Sequence, residues 1–231
     1  SGSAPMAAAK MLNGMLVAGG GQAGCLMSFL EDDVQLMNSS AYSLTSSRLI
    51  SDRNGTTAWV GSGGYVILHY IINDIAMTIL PNAPIDSATG VPIPTIAIAT
   101  SGGVSVIKDD GSVVDITNSS NWESYKVAFR PDNAIVQHLA WSTSADSVVR
   151  VYYNIPSSDV SYDSSDEYYQ ATTIPNLCGA SGANEFSVSA ISDNGKAFGF
   201  DETGALTLLD ENTTTPSEGS VAYITSDYNT G

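Results

Sequence analysis

The feature that most narrows the fold is a hairpin grammar that occurs twice in nearly the same form. Thr95-Ile96-Ala97-Ile98-Ala99-Thr100 is a short run with β-branched residues, followed by the turn Ser101-Gly102-Gly103. Val104-Ser105-Val106-Ile107 comes next, then the turn Asp109-Asp110-Gly111, then Val113-Val114-Asp115-Ile116. Residues 186–209 match this segment strand for strand and turn for turn, with turns at Ser192-Asp193-Asn194-Gly195 and Asp201-Glu202-Thr203-Gly204. Short apolar runs divided by Asp-Gly or Gly-Gly read as hairpins, because those residues accept the positive φ of tight turns.

Three looser copies share the pattern, and the first turns of the five start at Gly19, Ser51, Ser101, Ser142 and Ser192. The intervals are 32, 50, 41 and 50 residues, and their mean lies near the ~40–50 residues of a propeller blade. Polar clusters at 81–94, 117–121, 157–166 and 213–217 read as loops between copies. The expectation is an all-β chain: a β-propeller of about five blades, each a three- to four-stranded antiparallel sheet. Radial stacking would bury both faces of each sheet, and strands buried on both faces read as continuous apolar runs. A β-sandwich is the alternative. Ser1-Gly2-Ser3-Ala4-Pro5 reads as a cloning scar, leaving 6–231 as a single propeller domain, and the ending at Thr230-Gly231 suggests a piece of a longer chain.

Composition narrows the partners. Lys and Arg number 8 against 24 Asp and Glu, a net charge of −16. A nucleic acid backbone needs clustered cations, as does an anionic membrane surface, so neither is expected as a partner. No apolar run approaches the ~18 residues of a membrane span. Cys25 and Cys178 read as small buried thiols, with a single bridge between them as the alternative.

Each catalytic motif has a plainer counterpart. Gly19-Gly20-Gly21-Gln22-Ala23-Gly24 fits G-x-G-x-x-G, but no helical period follows, so a glycine-rich hairpin turn is expected and no cofactor. Ser51-Asp52-Arg53-Asn54-Gly55-Thr56-Thr57-Ala58-Trp59 resembles the Asp-box hairpin of sialidase-like propellers, with Arg53 and Ala58 out of register. An arginine triad of the sialidase type would have to come from Arg48, Arg53, Arg130 and Arg150, and no pair of acids is singled out for glycoside chemistry. His69 and His138 each sit in an apolar run and read as structural. No catalytic residue is assigned. The acidic, tyrosine-rich segment 157–169 reads as a solvated loop, with Asp159, Asp163 and Asp166 as candidate Ca²⁺ ligands. Loop aromatics suit a binding surface, which points to Trp122, Tyr125, Tyr162, Tyr168 and Tyr169. The counter-reading for Trp122 and Tyr125 is packing between blades.

The closing segment Ser220-Val221-Ala222-Tyr223-Ile224-Thr225-Ser226-Asp227-Tyr228-Asn229-Thr230-Gly231 resembles one found in bacteriophage tail and virion structural proteins, where it closes a propeller-like repeat region. The hairpins of 96–116 resemble the blades of those proteins. The resemblance implies a non-enzymatic structural or adhesive module of a phage tail or fibre-type protein, assembled in the host bacterial cytoplasm and carried on the virion. Its implied partners are other virion proteins or host cell-surface carbohydrate. A glycoside hydrolase or lyase on the same scaffold, or a generic protein-binding propeller, are the alternatives.

Overall fold

The computed structural model describes residues 6–21, 23–29, 33–39, 45–46, 64–87, 89–141 and 147–170, and the strands at 187–191, 197–202, 205–212 and 220–222. These residues are all-β; their helical content is one 3₁₀ turn, Tyr162–Ser164. The strands form four sheets, none closed on itself. In the first, β1 (Met6–Leu12), β2 (Met15–Gly20), β3 (Gly24–Ser28) and β4 (Asp33–Asn38) make an antiparallel meander. Two short strands, β5 (Thr45–Ser46, antiparallel) and β6 (Tyr65–Val66, parallel), pair with β4. The second meander is β7 (Ile72–Thr78), β8 (Thr95–Thr100), β9 (Gly103–Ile107) and β10 (Val113–Thr117). The third is β11 (Trp122–Phe129), β12 (Ile135–Trp141), β13 (Ser147–Tyr152) and, beyond β14 (Val160–Ser161), β15 (Glu167–Gln170). β14 leaves the third sheet to run parallel to β10 of the second. The fourth is β16 (Ser187–Ile191), β17 (Ala197–Glu202), β18 (Ala205–Asn212) and β19 (Ser220–Ala222).

Turn chemistry explains the hairpins. Asn13 and Gly14 both have positive φ (47° and 75°), the pair a type I′ turn requires between β1 and β2. Gly111 (φ 82°) and Asn133 (φ 67°) close the β9–β10 and β11–β12 turns in the same left-handed region. The Gly19–Gly24 stretch is a hairpin between β2 and β3, as expected, and its glycines serve packing. A Cβ on Gly19 or on Gly24 would lie 2.5 Å from Cδ1 of Ile72, which fills the hollow they leave.

Two expectations are corrected. The sequence pattern predicts about five units, whereas the described residues form four sheets. The unit read from Ser51 does not stand as a separate sheet: Tyr65–Val66 edges the first sheet, while Ile75 registers with Ile98 in the second. Between them the chain turns, Ser105 Oγ accepting the Leu68 N–H and His69 Nδ1 accepting that of Ile71. The polar clusters at 81–94 and 157–166 join strands of one sheet, β7 to β8 and β13 to β15, rather than one sheet to the next, and the second cluster lends β14 to the edge of the neighbouring sheet. Residues 51–59 and the turns at 142–146 and 192–196 lie outside the described residues.

The second sheet is the centre of the packing. Every residue of β8 and β9 is buried. Ile96, Ile98 and Ile107 join Ile72 and Ile75 against Val17, Leu26 and Met37 of the first sheet. The alternate residues Ala97, Ala99, Val104 and Val106 face Val127, Ile135 and Tyr152 of the third. Large side chains therefore fill one interface and small ones the other, and each fully buried Ile contributes about 1.5–3 kcal/mol. The first strands also adjoin one another: β7 packs on β1, β11 on β7, and β16 on β11. Asp74 of β7 ties two of them, accepting the Val127 N–H (3.2 Å) with Lys126 Nζ 4.0 Å away, and Asn73 donates to the Ser124 carbonyl (2.9 Å).

Candidate functional site

The residues expected to bind fall into three environments. Trp122 and Tyr125 are strand residues of β11, not loop residues, which corrects that expectation. Tyr125 sits where the β11–β12 register slips between Ser124 and Lys126. A bulge leaves its extra residue unpaired and re-aims the side chain, and here the ring lies 6.4 Å from that of His138. Burial and the neighbouring Glu123 carboxylate raise its phenol above the ordinary range. Tyr169 pairs with Val149 in the β13–β15 ladder, and its side chain lies outside the described residues.

Trp122, Tyr162 and Tyr168 are brought toward one another by Arg150 of β13. Its guanidinium stands 4.5 Å from the Tyr162 ring centre and 5.6 Å from that of Tyr168. It donates to the Tyr162 carbonyl (3.0 Å), Ser165 Oγ (3.0 Å) and Asp163 Oδ1 (3.1 Å). The Trp122 ring lies 6.4 Å from Tyr162 at a tilt of 32°. The position of Arg150 follows from the ladder, since it registers with Tyr168 in β15 and with Gln137 in β12. Below the guanidinium, a buried polar chain continues through the sheet. The Tyr152 hydroxyl lies 2.9 Å from the Tyr162 carbonyl and 3.1 Å from Gln137 Oε1. Gln137 Nε2 donates to Ser124 Oγ (2.6 Å) and Asn118 Oδ1 (3.1 Å). Burial drives the Tyr152 phenol far above its ordinary range, so it stays protonated and able to donate.

The three candidate calcium ligands are not gathered on one point. Asp159 accepts the Asp115 N–H, Asp163 pairs with Arg150, and Asp166 accepts the Tyr153 N–H. Each carboxylate pins part of the 153–166 segment, which is how an acidic loop folds back on its sheet. Among the described residues no group of three or more His, Cys, Asp or Glu is placed to hold a metal ion. Arg130 is buried in the β11–β12 turn 3.0 Å from Asp132, while Arg48 and Arg53 lie outside the described residues, as does Cys178. Cys25 is a half-buried free thiol on β3, raised by burial.

His138 is enclosed in β12 between Lys126 and Val149. Burial, with a smaller push from the Lys126 ammonium, lowers its pKa to about 4. The unfolded chain, with an ordinary imidazole near 6.5, therefore binds the extra proton first on acidification. This group withdraws stability progressively as pH falls from about 6.5 to about 4, by about 3 kcal/mol in all. Asp74 and Asp115, both raised chiefly by burial, act in the opposite sense at lower pH. Urea unfolding from pH 7.5 to 4.5 should show the decline in the native chain and a flatter profile in His138→Leu. Parallel profiles would mean that His138 is not held neutral.

Arg150 and Asp163 stand in the sequence reading in other roles, as a candidate triad arginine and a candidate Ca²⁺ ligand; that they join Ser165 in one cluster was not legible, because only strand register brings position 150 to 162–168. Comparison with protein-family models gives no match, and no curated protein matches the chain. Among solved structures, Kluyveromyces lactis Hsv2p matches with a TM-score of 0.43 at 9% identity. A structure of Hsv2 from the same yeast, described with complete loop 6CD, matches at 0.45 and 10%. Each match covers 97% of this chain and 73% of the other. At these scores the likeness carries no inference about fold or function.

Proposed function

We propose that the chain is a non-enzymatic propeller module, structural or adhesive, of a phage tail or fibre-type particle, and that it binds host-surface carbohydrate. One observation carries the propeller reading: the first three meanders stack face to face in chain order, while the first strands of all four adjoin one after another. Four-stranded sheets arranged radially around an axis have this relation, and the second sheet is covered on both faces, as a blade is. The virion context rests on the resemblance of the 96–116 hairpins and the 220–231 segment to phage tail proteins.

The ledge at Arg150 supports the carbohydrate reading. Tyr168 is 53% exposed, and the paired Asp163 side chain is 66% exposed with lone pairs to spare. An aromatic face beside a guanidinium and a carboxylate offers a flat apolar surface for a sugar ring, with donors and acceptors for its hydroxyls. A glycan array probed with the native chain and with Tyr168→Ala tests this. Retention on neutral glycans should fall at least ~10-fold in the variant, the loss expected from removing one central aromatic contact, while the loss of the ring from Arg150 lowers the melting temperature only slightly and leaves the fold intact. No retained glycan, together with absence of the protein from purified virions, would remove the reading.

A further inference from the structure

A cleft of ≈ 260 Å³ lies between the first and second sheets, remote in the chain from the Arg150 ledge. Its accessible apolar surface comes from Met15, Tyr65 and residues 91–93, over Leu26, Ile96 and Ile107, which are almost fully buried beneath it, and Ser28 and Gln35 add polar groups. Its roof is residues 91–94, part of the excursion between β7 and β8. That roof is held in place by the fold. Asn13 Nδ2 donates to the Pro92 carbonyl (2.8 Å), Ile85 bridges Pro92, and Asp86 accepts the Thr89 N–H through Oδ1 (2.7 Å) and the Gly90 N–H through its carbonyl (2.8 Å). A ligand entering the cleft therefore has no loop to order, which removes a common cost of binding.

The rim sets the sign of what can enter. It carries three carboxylates, Asp86, Asp109 and Asp110, against the single ammonium of Lys108. Asp110 is engaged by the Ser112 N–H and hydroxyl, which hold it below the usual carboxylate range, so it remains ionised. Asp109 has no hydrogen-bond or ion-pair partner among the described residues, and it stands in the β9–β10 turn fixed by the Lys108 N–H to Ser112 carbonyl bond (2.8 Å). A half-enclosed, partly apolar cleft under a net negative rim, on a chain of net charge −16, favours a positive headgroup and disfavours anions.

We propose that this cleft binds a small organic cation with an apolar body, the body against Met15, Tyr65 and residues 91–93 and the ammonium at Asp109. The site is separate from the carbohydrate ledge and does not depend on it. Titration of the full chain with hexylammonium, hexanol, hexanoate and glucose, followed by amide NMR shifts, tests the assignment. Hexylammonium should bind one site with roughly millimolar affinity, as its few heavy atoms allow. Shifts should centre on residues 91–96 and 108–111. Hexanoate should bind at least ~10-fold more weakly, and raising salt from ~20 to ~200 mM should weaken hexylammonium several-fold. Asp109→Asn, a change on the rim, should weaken it ~3- to 5-fold, about 1 kcal/mol. Val91→Trp should block the cleft; if that variant is unstable, Asp109→Asn alone decides. Equal binding of hexanol and hexylammonium, preference for hexanoate or glucose, shifts elsewhere, or no saturable binding would each overturn the proposal.

Discussion

Gly103→Ala should lower the unfolding free energy by about 3–5 kcal/mol. The residue opens β9 with a φ of 141°, and a Cβ there would lie 2.1 Å from the Ile116 carbonyl oxygen of β10. That oxygen is backbone, locked in a ladder where Ile116 registers with Val104 and Thr117 with Gly103. It can retreat only by parting the two strands, and Leu68 Cδ1, 2.8 Å from the same point, closes the other side. The turn before it is equally fixed, since Thr100 Oγ1 donates to the Gly103 carbonyl and accepts the Gly102 N–H. Gly111→Ala is the matched control. Its φ of 82° strains an alanine by about 1–2 kcal/mol, but nothing lies within 4 Å of the added methyl. Urea melts of the two variants should differ by at least ~1 kcal/mol. Equal midpoints would mean that β9 and β10 do not approach in this register.

The same contrast shows what the sequence can and cannot reveal. The hairpins from Thr95 to Ile116 were legible because Ser101-Gly102-Gly103 and Asp109-Asp110-Gly111 provide the backbone freedom that tight turns need, and the flanking residues are β-branched. Strand β1 was not. Met6-Ala7-Ala8-Ala9-Lys10-Met11-Leu12 contains no β-branched residue and has a helix-like composition, yet it pairs along β2 because the Asn13-Gly14 turn folds it back. Strand β11 was hidden differently: Glu123, Ser124 and Lys126 interleave its apolar residues, and its bulge at Tyr125 breaks the two-residue period. The number of sheets was misread for a more general reason. Local pattern marks where strands are, but pairing of Ile75 with Ile98 across 81–94, or of Arg150 with Tyr168 across 157–166, is a long-range choice made by packing. The candidate site depends on that second kind of information, so its aromatics and Arg150 could each be named from sequence while their assembly around the guanidinium could not.

Arg150→Ala should destabilise the chain by about 2–3 kcal/mol and expose the 153–166 segment to proteolysis. The Arg150 side chain is 12% exposed and makes three hydrogen bonds while lying against two tyrosine rings. The ion pair with Asp163 contributes little of this, because that carboxylate is mostly in water. The larger losses are the bonds to the Tyr162 carbonyl and Ser165, and the packing of the two rings. The Tyr152 hydroxyl can still satisfy the Tyr162 carbonyl, and the Asp159 and Asp166 attachments remain, so the global fold should survive at reduced stability. Arg150→Lys should recover less than half of the loss, since a single ammonium on a flexible stem cannot reach three acceptors set around a planar fork. Under the proposed function both variants should also lose glycan retention, because Tyr168 keeps its outward face only while the guanidinium supports its inner one. A variant that resists protease and melts like the native chain would show that the aromatic ledge stands without its arginine, and the search for what orders it would move to Gln137 and Ser124 beneath.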